Sequence, residues 1–235
     1  MEPSDLYNNY SEINSNIHVF DRNYYEITAS EYDEMYSEYM PKNKEAKILD
    51  IGCGNGIFLY YLKKYGYVNN MGIDVDKSSV DIVKENVTEN VSNTDAFAFL
   101  NNFNKEYDMI IMNEVLEHIN KEQIIPLIKL IYSSLSKGGI FIAYVPNMEN
   151  PFTIYTRYND FTHTIGYTQN SLTMVLKLGG FSDIVVKPTT SKKRTIKKYI
   201  KHIIQKLTKQ FLVTFFEYPK NGFLNSMRIY SIAKK

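Results

Sequence analysis

Apolar residues along the chain fall into short continuous runs that alternate with longer stretches of helical periodicity. Residues 46–51 form one such run, and apolar positions then recur at helical spacing over 57–65 until Gly66 ends them. The pattern predicts a strand followed by a helix. A second strand is expected at 68–73, a helix from about Lys77 to Asn86, and a weakly marked third strand ending near Asp95. Residues 107–112 are almost wholly apolar, as a strand buried on both faces requires. A helix then runs to about Leu135, with Pro126 obscuring its start, and Lys137-Gly138-Gly139 turns the chain into a fifth strand at 140–145. Strands separated by helical stretches of this length imply a parallel sheet with right-handed crossovers.

The flanks read differently. Residues 1–45 carry many tyrosines with acidic neighbours and predict a helical cap closed near Pro41. After Pro146 the pattern becomes irregular through Tyr167. A helix at 169–178, the pair Gly179-Gly180 and a strand at 181–187 follow. A last strand at 224–233 alternates more strongly, as an antiparallel partner would. The expectation is one α/β, Rossmann-like domain over 46–235 behind an N-terminal cap, with a loop at 146–168 and a helical insert at 188–223.

Composition narrows the class. At 235 residues, 44% hydrophobic and 23% charged, the chain matches average globular usage, which excludes a disordered or coiled-coil protein. Cys53 is the sole cysteine, so no intrachain disulfide can form. The N-terminus has no basic-then-apolar leader, and apolar runs are far shorter than the roughly 20 residues of a membrane span. A soluble cytoplasmic protein is expected. The net charge of +1 gives no reason to expect a nucleic-acid partner. It is unevenly spread, however. Eight Lys or Arg and no acid lie between Lys192 and Lys209, leaving the remainder seven charges negative. In that segment Ile196, Tyr199, Ile200, Ile203, Ile204, Leu207, Phe211 and Phe215 recur at three- and four-residue steps, an amphipathic helix. Its expected role is packing on the domain or on a second subunit of a homodimer. Contact with anionic lipid or an anionic carrier is the alternative.

The sharpest chemical signal is Ile48-Leu49-Asp50-Ile51-Gly52-Cys53-Gly54-Asn55-Gly56 at a strand-to-helix turn. Three glycines permit positive φ and let a ligand approach bare main chain. A dinucleotide fingerprint would need a third glycine at Ile57 or Leu59, so both frames fail and an oxidoreductase is disfavoured. Asp74 closes the second strand 22 residues after Gly52, where a carboxylate can accept from both hydroxyls of a ribose. The turn also lacks the Lys or Arg that phosphate ligands favour.

Taken in order, Asp50-x-Gly52-x-Gly54-x-Gly56, Gly72-Ile73-Asp74, Tyr107-Asp108, Leu116-Glu117-His118 and Gly138-Gly139 resemble a class I S-adenosylmethionine-dependent methyltransferase over roughly residues 46 to 187. The resemblance implies a seven-stranded sheet with the cofactor across the carboxyl ends of its first strands. It places Asp50, Gly52, Cys53, Gly54 and Gly56 around the methionine part. Asp74 and Val75 fall at the ribose, and Asp95 and Ala96 beside the adenine. Asn113, Glu114 and Val115 line the methionine side, with His118 near the cofactor. The cofactor is S-adenosyl-L-methionine and the product S-adenosyl-L-homocysteine. A positively charged cofactor suits such carboxylates.

For the transfer itself, Arg157, Asp160 and His163 lie in the loop after strand five. His163 is the candidate base, Asp160 could orient its imidazole, and Arg157 could hold an anionic acceptor. Bracing of the loop is the plainer alternative. Glu117, His118, Asp160 and His163 are all possible metal ligands, but nothing in their spacing demands an ion and no metal is expected. Tyr24, Tyr25 and Tyr32 are expected in a lid over the site. The stretch from Val145 to Phe181 also resembles methyltransferases found with polysaccharide-building enzymes. A sugar, nucleotide-sugar or surface-polysaccharide hydroxyl is therefore the expected acceptor. A phosphate or phosphoramidate group and a small metabolite such as a quinone precursor stand behind it. A cofactor-binding regulatory protein without turnover is the reading from another class.

Overall fold

The computed structural model describes residues 20–102, 106–189, 196–218, 222–223 and 226–235, with side chains in the last helix described from Ile203 onward. The part of the expected cap before residue 20, the insert at 190–195 and the start of the last strand at Leu224 lie outside the described residues. Helix α1 (Arg22–Tyr36) starts at Asp21, whose carboxylate caps the backbone N–H groups of Asn23 and Tyr24. Then come β1 (Ile48–Ile51), α2 (Ile57–Lys64), β2 (Asn70–Asp74), α3 (Lys77–Asn86), β3 (Val91–Asn93), α4 (Ala96–Asn102) and β4 (Tyr107–Asn113). A 3₁₀ turn at Leu116–His118 leads to α5 (Lys121–Ser134) and β5 (Leu135–Pro146). After α6 (Ile154–Asn159) come α7 (Gln169–Leu178), β6 (Asp183–Pro188), α8 (Ile196–Phe215) and β7 (Arg228–Lys234).

The sheet runs β3-β2-β1-β4-β5-β7-β6, parallel except for β7, which is antiparallel to both β5 and β6. Alternation within each strand divides the core. Met109 and Ile111 join Ile48, Ile142 and Ile232 under α1, α2 and α3. Their neighbours Ile110 and Met112 join Leu49, Phe141 and Ala143 under α4, α5 and α7. Both faces of the sheet are thereby covered, which is why β1 and β4 are apolar almost throughout.

Several boundaries differ from the sequence expectation. Strand β3 stops at Asn93 because Asp95 turns to cap α4, accepting from Ala98 N–H at 3.0 Å. Pro126 lies inside α5, in its second turn, so it does not delay the helix start. The Lys137–Gly139 turn is absorbed into β5 as a register shift between the Tyr107↔Leu135 and Met109↔Ile140 pairs. The 146–168 stretch is not wholly irregular, since a 3₁₀ turn (Pro151–Thr153) and α6 form there. Of the apolar face of α8 expected to pack on the domain or on a second subunit, Ile203, Ile204, Leu207, Phe211 and Phe215 are exposed on this chain.

Candidate active site

A cleft of about 900 Å³ opens at the carboxyl ends of β1, β2 and β4. This is where an open parallel sheet of this kind binds ligands. Gly52, Gly54 and Gly56 all adopt left-handed backbone, with φ of 69°, 50° and 79°. Their surroundings separate their roles. A Cβ on Gly52 would stand 2.3 Å from Val115 Cγ2, and one on Gly56 would stand 2.8 Å from Val83 Cγ2. These two glycines let the turn pack against the segment after β4 and against α3, and Gly56 is not on the cleft wall. Gly54 has no atom within 4 Å of its Cβ position and lines the cleft. Its N–H donates to Asp74 Oδ2 at 2.7 Å, while Asp76 N–H donates to Oδ1 at 2.8 Å. Asp74 is thus held at the end of β2 by two main-chain donors.

Asp50 is 2% exposed and accepts no hydrogen bond from any described residue. Burial first, and the charge of Asp74 second, push its carboxyl up to about 8. Asp74 is also raised by burial, against the pull of its two N–H donors. Burial pushes the Cys53 thiol well up, leaving it the small apolar wall of the turn. Val75, Asp95 and Ala96 line the end beyond Asp74, and Asn113, Glu114 and Val115 line the opposite side. The expected lid tyrosines Tyr24, Tyr25 and Tyr32 all border the cleft. Tyr25 is the most firmly fixed of them. It is buried and donates to the Asn55 carbonyl at 2.5 Å, while Tyr36 of the same helix donates to Asn113 Oδ1 at 3.0 Å.

The other wall is assembled from three segments. Glu114 takes a left-handed backbone with φ of 55° and pairs with Arg228 at the start of β7. Beyond it the 3₁₀ turn presents His118, with Glu117 buried and off the cleft lining, and the loop after β5 brings Asp160 and His163 to the same place. The rings of His118 and His163 meet edge-on with centroids 4.6 Å apart. Asp160 Oδ1 accepts from Thr162 N–H at 2.9 Å and from Thr162 Oγ1 at 2.6 Å, and Thr162 Oγ1 lies 2.8 Å from His118 Nδ1. The Asp160 carboxylate thus reaches His118 through Thr162, while the Asp160 backbone carbonyl accepts from His163 N–H at 3.3 Å. The short Asp160 side chain prefers the local turn two residues on. His163 Nδ1 faces the Thr156 carbonyl at 2.8 Å. The Arg157 guanidinium does not line the cleft. It donates to the carbonyls of His163 and, at 2.8 Å, of Thr164, so it braces the loop. Burial, with His163 next in effect, lowers the His118 pKa to about 4, and the ring is neutral.

Two residues that the sequence did not single out shape this wall, Arg228 and Thr162. A signal for the first existed. An antiparallel last strand brings its own beginning to the carboxyl edge, here as the Pro146↔Arg228 pair. Nothing in the sequence marked Thr162.

A family described as "Methyltransferase domain" matches residues 21–184. A ribosomal protein L11 methyltransferase of Caldanaerobacter subterraneus is 36% identical over 101 residues, which are 42% of this chain and 31% of that protein. A ubiquinone biosynthesis O-methyltransferase of Pelagibacter ubique is 34% identical over 104 residues, 43% of this chain and 42% of its own length. The chain thus spans about a third to two fifths of these curated relatives. Among solved structures, an S-adenosylmethionine-dependent methyltransferase of Archaeoglobus fulgidus superposes with a TM-score of 0.69 at 21% identity, covering 90% of this chain and 94% of that one. At that identity the likeness concerns the fold.

Proposed function

The chain belongs to the methyltransferase domain family, and we propose that it moves the methyl group of S-adenosylmethionine to a hydroxyl of a small acceptor, a sugar or surface-polysaccharide group in the first place. One arrangement carries this reading. Asp50, Gly54 and Asp74 line one side of the cleft, and His118 and His163 line the other.

The residues on the first side fit the cofactor. Asp50 is a buried carboxylate with no donor among the described residues, held partly protonated by its surroundings, and a cationic ligand would let it ionise. Gly54 leaves open space where a ligand can lie against main chain. Asp74, fixed by two N–H groups, retains lone pairs for ribose hydroxyls. When bound, the cofactor supplies an already activated methyl group. The chain's own task is then alignment, worth up to about 7–11 kcal/mol in favourable intramolecular cases. His163 donates from Nδ1 to a carbonyl, so its Nε2 carries the lone pair that can take a proton from an acceptor hydroxyl.

Tyr155, Tyr158 and Phe161 stand exposed on and just after α6, whose Thr156 and Asn159 line the cleft. Such rings suit the apolar face of a sugar. A ring hydroxyl of a quinone precursor is the second reading, supported by the likeness to the ubiquinone biosynthesis O-methyltransferase. An anionic phosphate or phosphoramidate has weaker support, since the guanidinium groups of Arg157 and Arg228 are both engaged within the protein.

Thermal unfolding with S-adenosylmethionine, S-adenosylhomocysteine, NAD or no ligand tests the cofactor. The first two should raise the midpoint, since a ligand at 100 times its Kd stabilises by about 2.7 kcal/mol. A rise with NAD alone, or with none of the three, overturns the reading. Transfer of labelled methyl groups to sugar and ring-hydroxyl acceptors then separates the two acceptor classes.

A further inference from the structure

We propose that Glu117, His118 and His163 form a binding site for a divalent first-row transition-metal ion on the acceptor side of the cleft. A carboxylate oxygen of Glu117 and one ring nitrogen from each histidine lie within 4.8 Å of one another. Donors held 2.0–2.2 Å from an ion stand about 3–3.5 Å apart, so side-chain adjustments on the order of 1 Å close the set. Two imidazoles and one carboxylate suit Mn²⁺, Fe²⁺, Co²⁺ or Zn²⁺ better than Mg²⁺ or Ca²⁺, which prefer oxygen.

The second observation is Glu117 itself. It is 1% exposed, and neither carboxylate oxygen meets a hydrogen-bond donor among the described residues. Its backbone carbonyl is well satisfied by Thr164 N–H at 2.8 Å and by Ile165 N–H, so the turn is tightly held while the side chain is left over. A buried carboxylate in this state resolves by holding a proton or by meeting a cation. Arg228, the neighbouring cation, is paired with Glu114.

The hydrogen bonds around the two imidazoles are those of ligating histidines. The Thr162 hydroxyl donates to Asp160 Oδ1 at 2.6 Å and lies 2.8 Å from His118 Nδ1. His163 Nδ1–H donates to the Thr156 carbonyl. Both rings are thereby held in place, His118 against a carboxylate-linked hydroxyl and His163, with its proton on Nδ1, against a backbone carbonyl. Outer partners of this kind fix the tautomer and orientation of metal-bound histidine. A general base needs one such ring. Two of them beside a buried carboxylate make a cation site. With an ion bound, His163 would be a ligand in place of a base. The ion would supply Lewis acidity that eases loss of the proton from an acceptor hydroxyl.

The test uses the full chain, freed of metal with EDTA and dialysed, with no cofactor or acceptor present. Titration with Mn²⁺, followed by its electron paramagnetic resonance signal, and with Co²⁺, followed by visible absorption, should saturate at one ion per chain. Glu117→Gln and His163→Asn should each weaken binding by tenfold or more. Thr162→Val, which removes only the outer hydrogen bond, should weaken it about tenfold. Wild-type protein that binds no ion saturably, or binds with the same affinity in all variants, overturns the proposal. Circular dichroism of each variant shows that it has folded. Because no methyl donor is present, failure here leaves the methyl-transfer reading standing, and failure of the thermal-shift experiment leaves this one standing.

Discussion

The wall that holds Asp50, Gly54 and Asp74 is built largely of main chain from two adjacent parallel strands, and its geometry is set within 25 consecutive residues, 50–74. The wall that holds Glu117, His118 and His163 is built of side chains from the turn after β4, the loop after β5 and the start of β7. The first is rigid because left-handed glycines and strand ends leave it no alternative. The second depends on a chain of hydrogen bonds running Asp160–Thr162–His118 and on the Arg157 clamp. A cofactor shared by many enzymes can be met by a preset main-chain surface, while an individual acceptor calls for side chains on variable loops.

Substitutions can break that contrast, and the largest effect belongs to the glycine turn. Gly52→Ala forces a Cβ to 2.3 Å from Val115 on a backbone with φ of 69°. It should destabilise the fold by about 2–4 kcal/mol and lower cofactor affinity by about 100-fold, measured by chemical denaturation and calorimetry. Gly66→Ala is the control. Its φ of 80° is similar, but nothing stands within 4 Å, so it should lose only about 1 kcal/mol and bind cofactor as wild type does. Equal losses in the two would mean that the turn matters for backbone conformation alone.

Asp74→Ala follows, with an expected 10- to 100-fold loss of cofactor affinity from the missing charged acceptor. Unchanged binding by calorimetry would remove Asp74 from the site. Asp50→Asn sharpens the electrostatic side. The Asp50 pKa is raised in the folded protein, so its contribution to stability is complete below about 4 and is lost as pH rises toward about 8. Ligand-free wild type should therefore lose stability across that window relative to Asp50→Asn, by at most about 1.4 kcal/mol per pH unit. Denaturation at pH 5 and pH 8 measures the difference, and parallel curves for the two proteins would show that Asp50 does not titrate there.

The smallest effects are expected on the second wall. Arg157→Ala frees two loop carbonyls and should slow methyl transfer about tenfold with cofactor affinity unaltered, through misplacement of the loop. Full turnover in that variant would show that the loop holds its shape without the clamp. A loss of cofactor affinity would mean that the two walls are coupled.

The same contrast explains what the sequence could reveal. The glycine turn, the β2 carboxylate, α3 and α7 were legible because each is fixed by neighbours within a few residues. The pairing of His118 with Thr162, and of Glu114 with Arg228, joins positions far apart in the chain, and periodicity carries no record of it. Asp160 and His163 both line the cleft, while their partners were not marked in the sequence, because a turn two residues long decided where the Asp160 carboxylate points. The exposed face of α8 escaped for a different reason. Amphipathic spacing reports that a helix has an apolar side and says nothing about whether the domain has room for it.

The position of β7 has a consequence for assembly. It follows β6 in sequence but lies between β5 and β6, and among the described residues β6 has no other strand neighbour. Until β7 is in place, β5 ends the sheet as an open apolar edge and β6 has nothing to pair with. During synthesis the β3-β2-β1-β4-β5 portion can form first, complete with its glycine turn, while Arg228 and the β6 edge wait for the β7 residues to emerge. The ligand-gripping half of the molecule is thus available to fold early, and the half that completes the second wall is added last.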